Sequence, residues 1–169
     1  QECKRHWGDV GWDEEIAHAR EAAPLKSLID PDAADFLNPA DMPEAIRSYC
    51  RRVGEPEPDS VGALARCCLE SLALKYRWVI EALESLTGRE INTIRIVGGG
   101  SQNKLLCQFT ADAAQRVAVA LDQLAGKDRQ RRLWHAQPAL MQQHQELGRE
   151  AARRARGIPR KRGVVVGIE

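Results

Sequence analysis

The sequence predicts an α/β fold, rich in helix and short of strands, and three observations carry that prediction. A β-rich run at Ile94, Ile96 and Val97 ends in three glycines, Gly98, Gly99 and Gly100, and a helical pattern of Leu105, Leu106, Phe109 and Ala113 follows at once. From Ser60 to Leu86, apolar residues recur every three to four positions, the period of a helix with a buried face. Residues 116–121 alternate weakly, so a second short strand is expected after the helix that leaves the glycines.

The remaining elements follow in order. Asp13 to Ala23 reads as a short helix, with Asp13 as its cap and Pro24 as its stop. Residues 24–43 are loop, punctuated by Pro24, Pro31, Asn38-Pro39 and Met42-Pro43. A second helix runs from Pro43 to Val53 and ends at Gly54. Glu55-Pro56-Glu57-Pro58 forms a stiff acidic linker into the long helix. Asp59 or Ser60 caps that helix, and Gly88 sits just past its end. Leu69, Leu74 and Trp78 widen its apolar face, so much of it is expected to be buried. A strand over 92–97, the glycine turn and a helix to about Ala114 complete this part.

Composition bounds the class. The 169 residues suffice for one domain with a core, and 43% hydrophobic with 29% charged content fits a soluble protein. No apolar run reaches the ~18–20 residues of a membrane-spanning helix. The first residues, Gln1 to Trp7, lack both an initiator Met and the apolar region of a signal peptide. A fragment of a cytoplasmic protein is therefore expected. The five cysteines, Cys3, Cys50, Cys67, Cys68 and Cys107, are odd in number and contain no Cys-x-x-Cys, so no metal site is expected.

Charge divides the chain. Residues 1–114 carry 13 Lys and Arg against 19 Asp and Glu, whereas residues 115–169 carry 12 against 5. From Asp122 onward the tail is basic: Lys127, Arg129, Arg131 and Arg132 form one cluster, and Arg153, Arg154, Arg156, Arg160, Lys161 and Arg162 another. Its helical propensity is fair but its apolar face is thin. Two units follow, 1–114 and an atypical basic tail over 115–169. Arginine clusters with Trp134 and His135 offer a phosphate-binding and base-stacking alternative, but no nucleic-acid-binding module accompanies them.

The glycine turn carries the chemistry. Strand, glycine turn and helix together hold phosphate, because glycine lets backbone approach a ligand and the first helical turn has free N–H groups. The Gly-x-x-x-x-Gly-Lys-Ser/Thr of a P-loop is absent. Gly98 and Gly100 match the start of the dinucleotide motif Gly-x-Gly-x-x-Gly, but Asn103 replaces its third glycine. Asp122 stands where a ribose-binding acid of that motif would lie. A Rossmann-like fragment and a plain turn without ligand are the two alternatives.

A third reading rests on resemblance. Ile29-Asp30-Pro31-Asp32, Phe36-Leu37-Asn38-Pro39-Ala40-Asp41-Met42-Pro43, the helix Leu69 to Arg77, and Val97-Gly98-Gly99-Gly100-Ser101-Gln102-Asn103 resemble the C-terminal domain of FGGY-family carbohydrate kinases. The likeness spans residues 24–113, is compatible with residues 1–23, and is strongest to the branch acting on L-rhamnulose. It implies part of an actin-like, ribonuclease-H-like ATPase domain with an incomplete sheet. It implies ATP with Mg2+ as cofactors and transfer of a phosphoryl group to a sugar. By the same resemblance Gly99 lies closest to ADP, Gly98 and Gly100 shape the turn, and Ser101 and Asn103 cap the next helix or reach the nucleotide. Cys50 and Cys67 are implied as a possible disulfide. Asp30, Asp32 and Asp41 are expected as turn and cap residues.

The resemblance also sets limits. The family's catalytic Asp and most sugar contacts belong to the N-terminal domain, so no catalytic residue is assigned here. Sugar is expected as a partner only together with that domain, and ATP or ADP as the direct one. The family's Gly-Pro-x-Glu-Ala helix is missing after Ala114. A frameshift near Ala114, with a non-native tail, is the expected cause.

Overall fold

In the computed structural model, residues 2–8, 10–121 and 131–137 are described. Four helices and three strands follow a short 3-10 turn at Cys3–His6: α1 (Trp12–Glu21), α2 (Met42–Val53), α3 (Val61–Thr87), β1 (Thr93–Ile96), α4 (Lys104–Ala114), β2 (Val117–Leu121) and β3 (Arg131–Trp134). Two further 3-10 turns lie at Ala34–Phe36 and Gly98–Gln102.

Local chemistry places most of the boundaries. The Ser60 hydroxyl accepts from the Ala63 amide at 3.2 Å and starts α3, and the Asp41 carboxylate accepts from the Glu44 amide at 2.9 Å and starts α2. Gly54 and Gly88 close α2 and α3 in the left-handed conformation, at φ 79° and 65°. α1 differs from expectation. Its cap is Gly11, with no side-chain cap bond, and Asp13 lies within the first turn. There its charge still favours the N-terminal end of the helix dipole.

α3 is the organising element, packed against both α1 and α4. Ala19 of α1, Ala65 and Ala73 of α3, and Leu105, Phe109 and Ala113 of α4 form one apolar cluster. Cys3, Ile46, Cys50, Leu64 and Cys67 form a second, and Trp7 packs against both. Burial stops short of the end of α3. Trp78, Val79, Leu83 and Leu86 remain exposed, and Trp78 takes only the Lys75 ammonium, 4.8 Å from its ring. Among the described residues nothing covers that face, so the expected burial holds mainly for the first half of the helix, with Ile80 alone buried beyond Ala73.

The sheet runs β1-β2-β3. β1 and β2 are parallel, with Thr93 opposite Val117 and Ile96 opposite Ala120, and α4 connects them. Ala118 and Ala120 turn inward and are buried. β3 was not expected. Arg131 to Trp134 pairs antiparallel with β2, Ala118 opposite Trp134. Asp122, Lys127, Arg129 and the arginines from Arg153 onward lie outside the described residues.

Candidate functional site

The glycine turn sits where β1 gives way to α4. Gly98 takes φ +76°, the left-handed conformation that lets the chain leave the strand. Gly98 to Gln102 then winds into a 3-10 turn. The buried Ser101 hydroxyl donates to the Gly98 carbonyl at 2.7 Å and closes the turn on itself. The Asn103 amide donates to the Gly100 carbonyl at 3.2 Å. The Asn103 side-chain oxygen accepts from the Leu106 amide at 3.0 Å, which makes Asn103 the cap of α4. Asn103 thus takes the capping role expected for it, whereas Ser101 bonds within the turn and does not cap α4.

Below the turn lies Cys107, fully buried, its thiol 3.7 Å from the Gly100 carbonyl oxygen and 3.8 Å from that of Ser101. Burial pushes this thiol up to about 11, so it stays protonated and acts as a weak donor to the turn. The three glycines differ. A Cβ on Gly100 would make ordinary contact with Ile96 at 3.8 Å and Leu106 at 3.9 Å. A Cβ on exposed Gly99 would meet nothing within 4 Å, and its φ is not left-handed. The chain's own packing therefore does not demand glycine at 99. The first turn of α4 carries no acidic residue, and exposed Lys104 opens it. The positive end of the helix dipole and a cation thus stand next to the turn in the chain.

The other candidates fall elsewhere. The Asp30 carboxylate accepts from the Asp32 amide at 3.1 Å, and both aspartates hold the Lys75 ammonium, at 3.1 and 2.7 Å. With Asp41 capping α2, all three have turn, ion-pair or cap roles. Cys50 and Cys67 are free, buried thiols within one apolar cluster. Trp134 ends β3 and His135 follows it, its carbonyl accepting from the Gln108 side chain at 3.0 Å. A small cleft lined by Lys26, Ser27, Asp59, Ser60, Ala63 and Glu70 shares no residue with the glycine turn. Among the described residues no cluster of three or more His, Cys, Asp or Glu is arranged to hold a metal. No described helix is long and apolar enough to cross a membrane.

Three buried charged residues, Arg66, Glu70 and Asp112, escaped the sequence reading. Arg66 pairs with Glu70 at 2.8 Å and also donates to the Ala19 and Arg20 carbonyls that end α1. Glu70 in turn accepts from the Leu25 amide at 2.8 Å. Asp112, on α4, accepts from the Gln137 amide at 2.8 Å and from Gln108 at 2.9 Å, tying the segment after β3 to the helix.

Comparison with known proteins matches residues 1–126 to the FGGY family of carbohydrate kinases, C-terminal domain. A rhamnulokinase of Bacteroides thetaiotaomicron is 50% identical over 120 residues, 71% of this chain and 25% of that protein. A rhamnulokinase of Enterococcus faecalis is 42% identical over 117 residues, 68% of this chain and 24% of that protein. The chain thus spans about a quarter of the length of these relatives. Among solved structures, a xylulose kinase from Rhodospirillum rubrum superposes with a TM-score of 0.63 at 18% identity, over 91% of this chain and 36% of that one. The glycerol kinase of Plasmodium falciparum with ADP gives 0.59 at 16%, over 89% and 35%. At such identities these likenesses show the fold, that of the actin-like sugar kinases. No comparison supports a Rossmann-like dinucleotide-binding fragment, and Asn103, at that motif's third glycine, is a helix cap.

Proposed function

The chain belongs to the FGGY family of carbohydrate kinases, and from that premise we propose that its Gly98–Asn103 turn holds the nucleotide of an ATP-dependent sugar kinase acting on L-rhamnulose. The carrying observation is Gly99. Its surroundings are open and its backbone is ordinary, so a ligand, and not the chain's own packing, gives a reason for the missing side chain. The adjacent helix start, free of acidic residues, suits a phosphate. The Cβ-sized space left at Gly99 is one that ADP would fill. Bound ATP supplies the γ-phosphoryl group, and Mg2+ arrives on its phosphates.

The chain's own contribution is positioning. Gly98 turns the backbone, Ser101 locks the turn, and Asn103 with Cys107 fixes it onto α4. Phosphoryl transfer depends on such alignment and on charge stabilisation. The base that takes the sugar hydroxyl's proton, and most sugar contacts, lie outside residues 1–169 in this reading. The working enzyme is a two-domain cytoplasmic kinase, without membrane or nucleic-acid partners. The tail over 115–169 lacks the family's Gly-Pro-x-Glu-Ala helix, as a frameshift near Ala114 would leave it; a Gly-Pro-x-Glu-Ala-like segment in another reading frame of the gene is the expected sign.

Titration of the chain with ADP, followed by amide nuclear magnetic resonance, tests the reading. Shifts centred on Gly98 to Asn103 and the first turn of α4 are expected. Shifts confined to other elements, or none at millimolar ADP, overturn it. In a coupled assay, L-rhamnulose-dependent ATP turnover by this chain alone would overturn the placement of the base outside it.

A further inference from the structure

The glycine turn is one end of a crossover from β1 through α4 to β2, and a single side chain gathers the other end. Arg116 stands between α4 and β2, one position before Val117, which pairs with Thr93 of β1. Its guanidinium reaches three elements. Nε donates to the Ile91 carbonyl, just ahead of β1, at 2.6 Å. Nη1 donates to the Ala114 carbonyl at the end of α4. Nη2 donates to both carboxylate oxygens of Glu84, in the last turn of α3, at 2.8 Å each. Glu84 also accepts from the Ile91 amide at 2.8 Å. The two side chains are 19% and 21% exposed, so water screens this clamp less than a surface pair.

The entry to β1 has little apolar support. Among the described strands β1 pairs on one side only, with β2. Its four residues alternate between exposed and half-buried, and none is buried. The adjoining end of α3 offers no apolar seat, since Leu83 and Leu86 are exposed. Register is weakly specified in a strand without a deeply buried face, and a slip of one residue turns every side chain over. Such a slip at Ile91 moves the far end of the strand, where the glycines begin, by about 3.3 Å. Arg116 and Glu84 hold the carbonyl and the amide of Ile91 together, so they pin the register from its base.

We propose that Arg116, oriented by Glu84, is a positioning residue for the Gly98–Asn103 turn and, through it, for bound ADP. It acts through β1. The clamp sets how far the strand runs before Gly98 turns the chain, and hence where Gly99 stands relative to the start of α4. The bond to the Ala114 carbonyl holds the far end of α4 in the same fork, beside Gln115 with its φ of +57°. A guanidinium suits this task because its donors fan out in one rigid plane. A lysine ammonium keeps the charge opposite Glu84 but not the reach to both carbonyls. The effect on ADP rests on the proposed nucleotide site; the hold on the turn does not.

The test compares amide resonances of the full chain, without and with ADP, in the parent, Arg116→Lys and Glu84→Gln. In Arg116→Lys the ligand-free resonances of Gly98 to Asn103 should move, and ADP affinity should fall about tenfold or more, as misplacement at a distance costs. The resonances of Ala65 and Ala73, in the core of α3, should stay in place and show that the variant is folded. Glu84→Gln keeps an acceptor oxygen for Arg116 and Ile91, so it should lie between the parent and Arg116→Lys in both readouts. A folded Arg116→Lys chain with unmoved turn resonances, or with parental ADP affinity, overturns the proposal. If Arg116→Lys does not fold, Glu84→Gln decides: turn resonances identical to the parent's overturn it. Absence of any ADP shift in the parent overturns the nucleotide site instead, and the ligand-free resonances still decide whether Arg116 holds the turn.

Discussion

Gly62 and Gly99 are both glycines next to a helix, and they stand in opposite surroundings. Gly62 is buried in the first turn of α3, and a Cβ there would run into the His18 carbonyl of α1. Gly99 is exposed in the turn before α4, and a Cβ there would touch nothing. One glycine is required by helix packing and the other by nothing inside the described chain. Where α1 meets the start of α3 the helical layer is thus closed by its own contacts, while the turn at the end of β1 is shaped but left open. A site for a ligand is expected on the open side of such a contrast.

The closed side yields the largest expected effects. Arg66→Ala leaves the Glu70 carboxylate, 2% exposed, without its cation, and frees the Ala19 and Arg20 carbonyls. Breaking a buried pair in this way costs about 3–5 kcal/mol, a large share of a domain's ~5–15 kcal/mol. Urea melts should show it, and a loss below about 1 kcal/mol would mean that the pair behaves as a surface one. Gly62→Ala comes next. Alanine gains about 1 kcal/mol in helix propensity, but its methyl must displace backbone of α1, and overpacking costs about 1–3 kcal/mol. Net destabilisation is expected in the same melts. A variant as stable as the parent would show that α1 moves freely on α3.

Much of this contrast was legible in the sequence. The 3–4 spacing from Val61 to Leu86 carried α3, and Gly88 marked its end, because period and left-handed stop are local properties. The strand and the glycines were legible for the same reason, while the resemblance offered Asn103 as a cap or a nucleotide contact. β3 was not, since Arg131 and Arg132 open it and its strand character comes from pairing with β2. Nor was the burial of Arg66 and Glu70, which is set by α1 and Leu25, 45 or more residues away. The exposed second half of α3 shows the converse error: an apolar pattern states a need for burial without providing the partner. For the turn, sequence placed the glycines and the resemblance set Gly99 apart; the geometry adds the physical ground, with Gly98 bending the chain and Gly99 leaving it open.

Gly99→Ala sharpens the comparison through the smallest stability change. Replacing glycine where the backbone is unstrained lowers the entropy of the unfolded chain and stabilises by about 0.4–1 kcal/mol. The melts should therefore shift slightly upward or not at all. ADP affinity, measured by the same titration as for the parent, should fall about tenfold or more, equivalent to ~1.4 kcal/mol, because the methyl occupies the open space. The two readouts must separate. Stability and affinity falling together would mean that Gly99 serves the fold as Gly62 does, and the open turn would lose its claim as a nucleotide site. Unchanged affinity with unchanged stability would place the nucleotide away from Gly99.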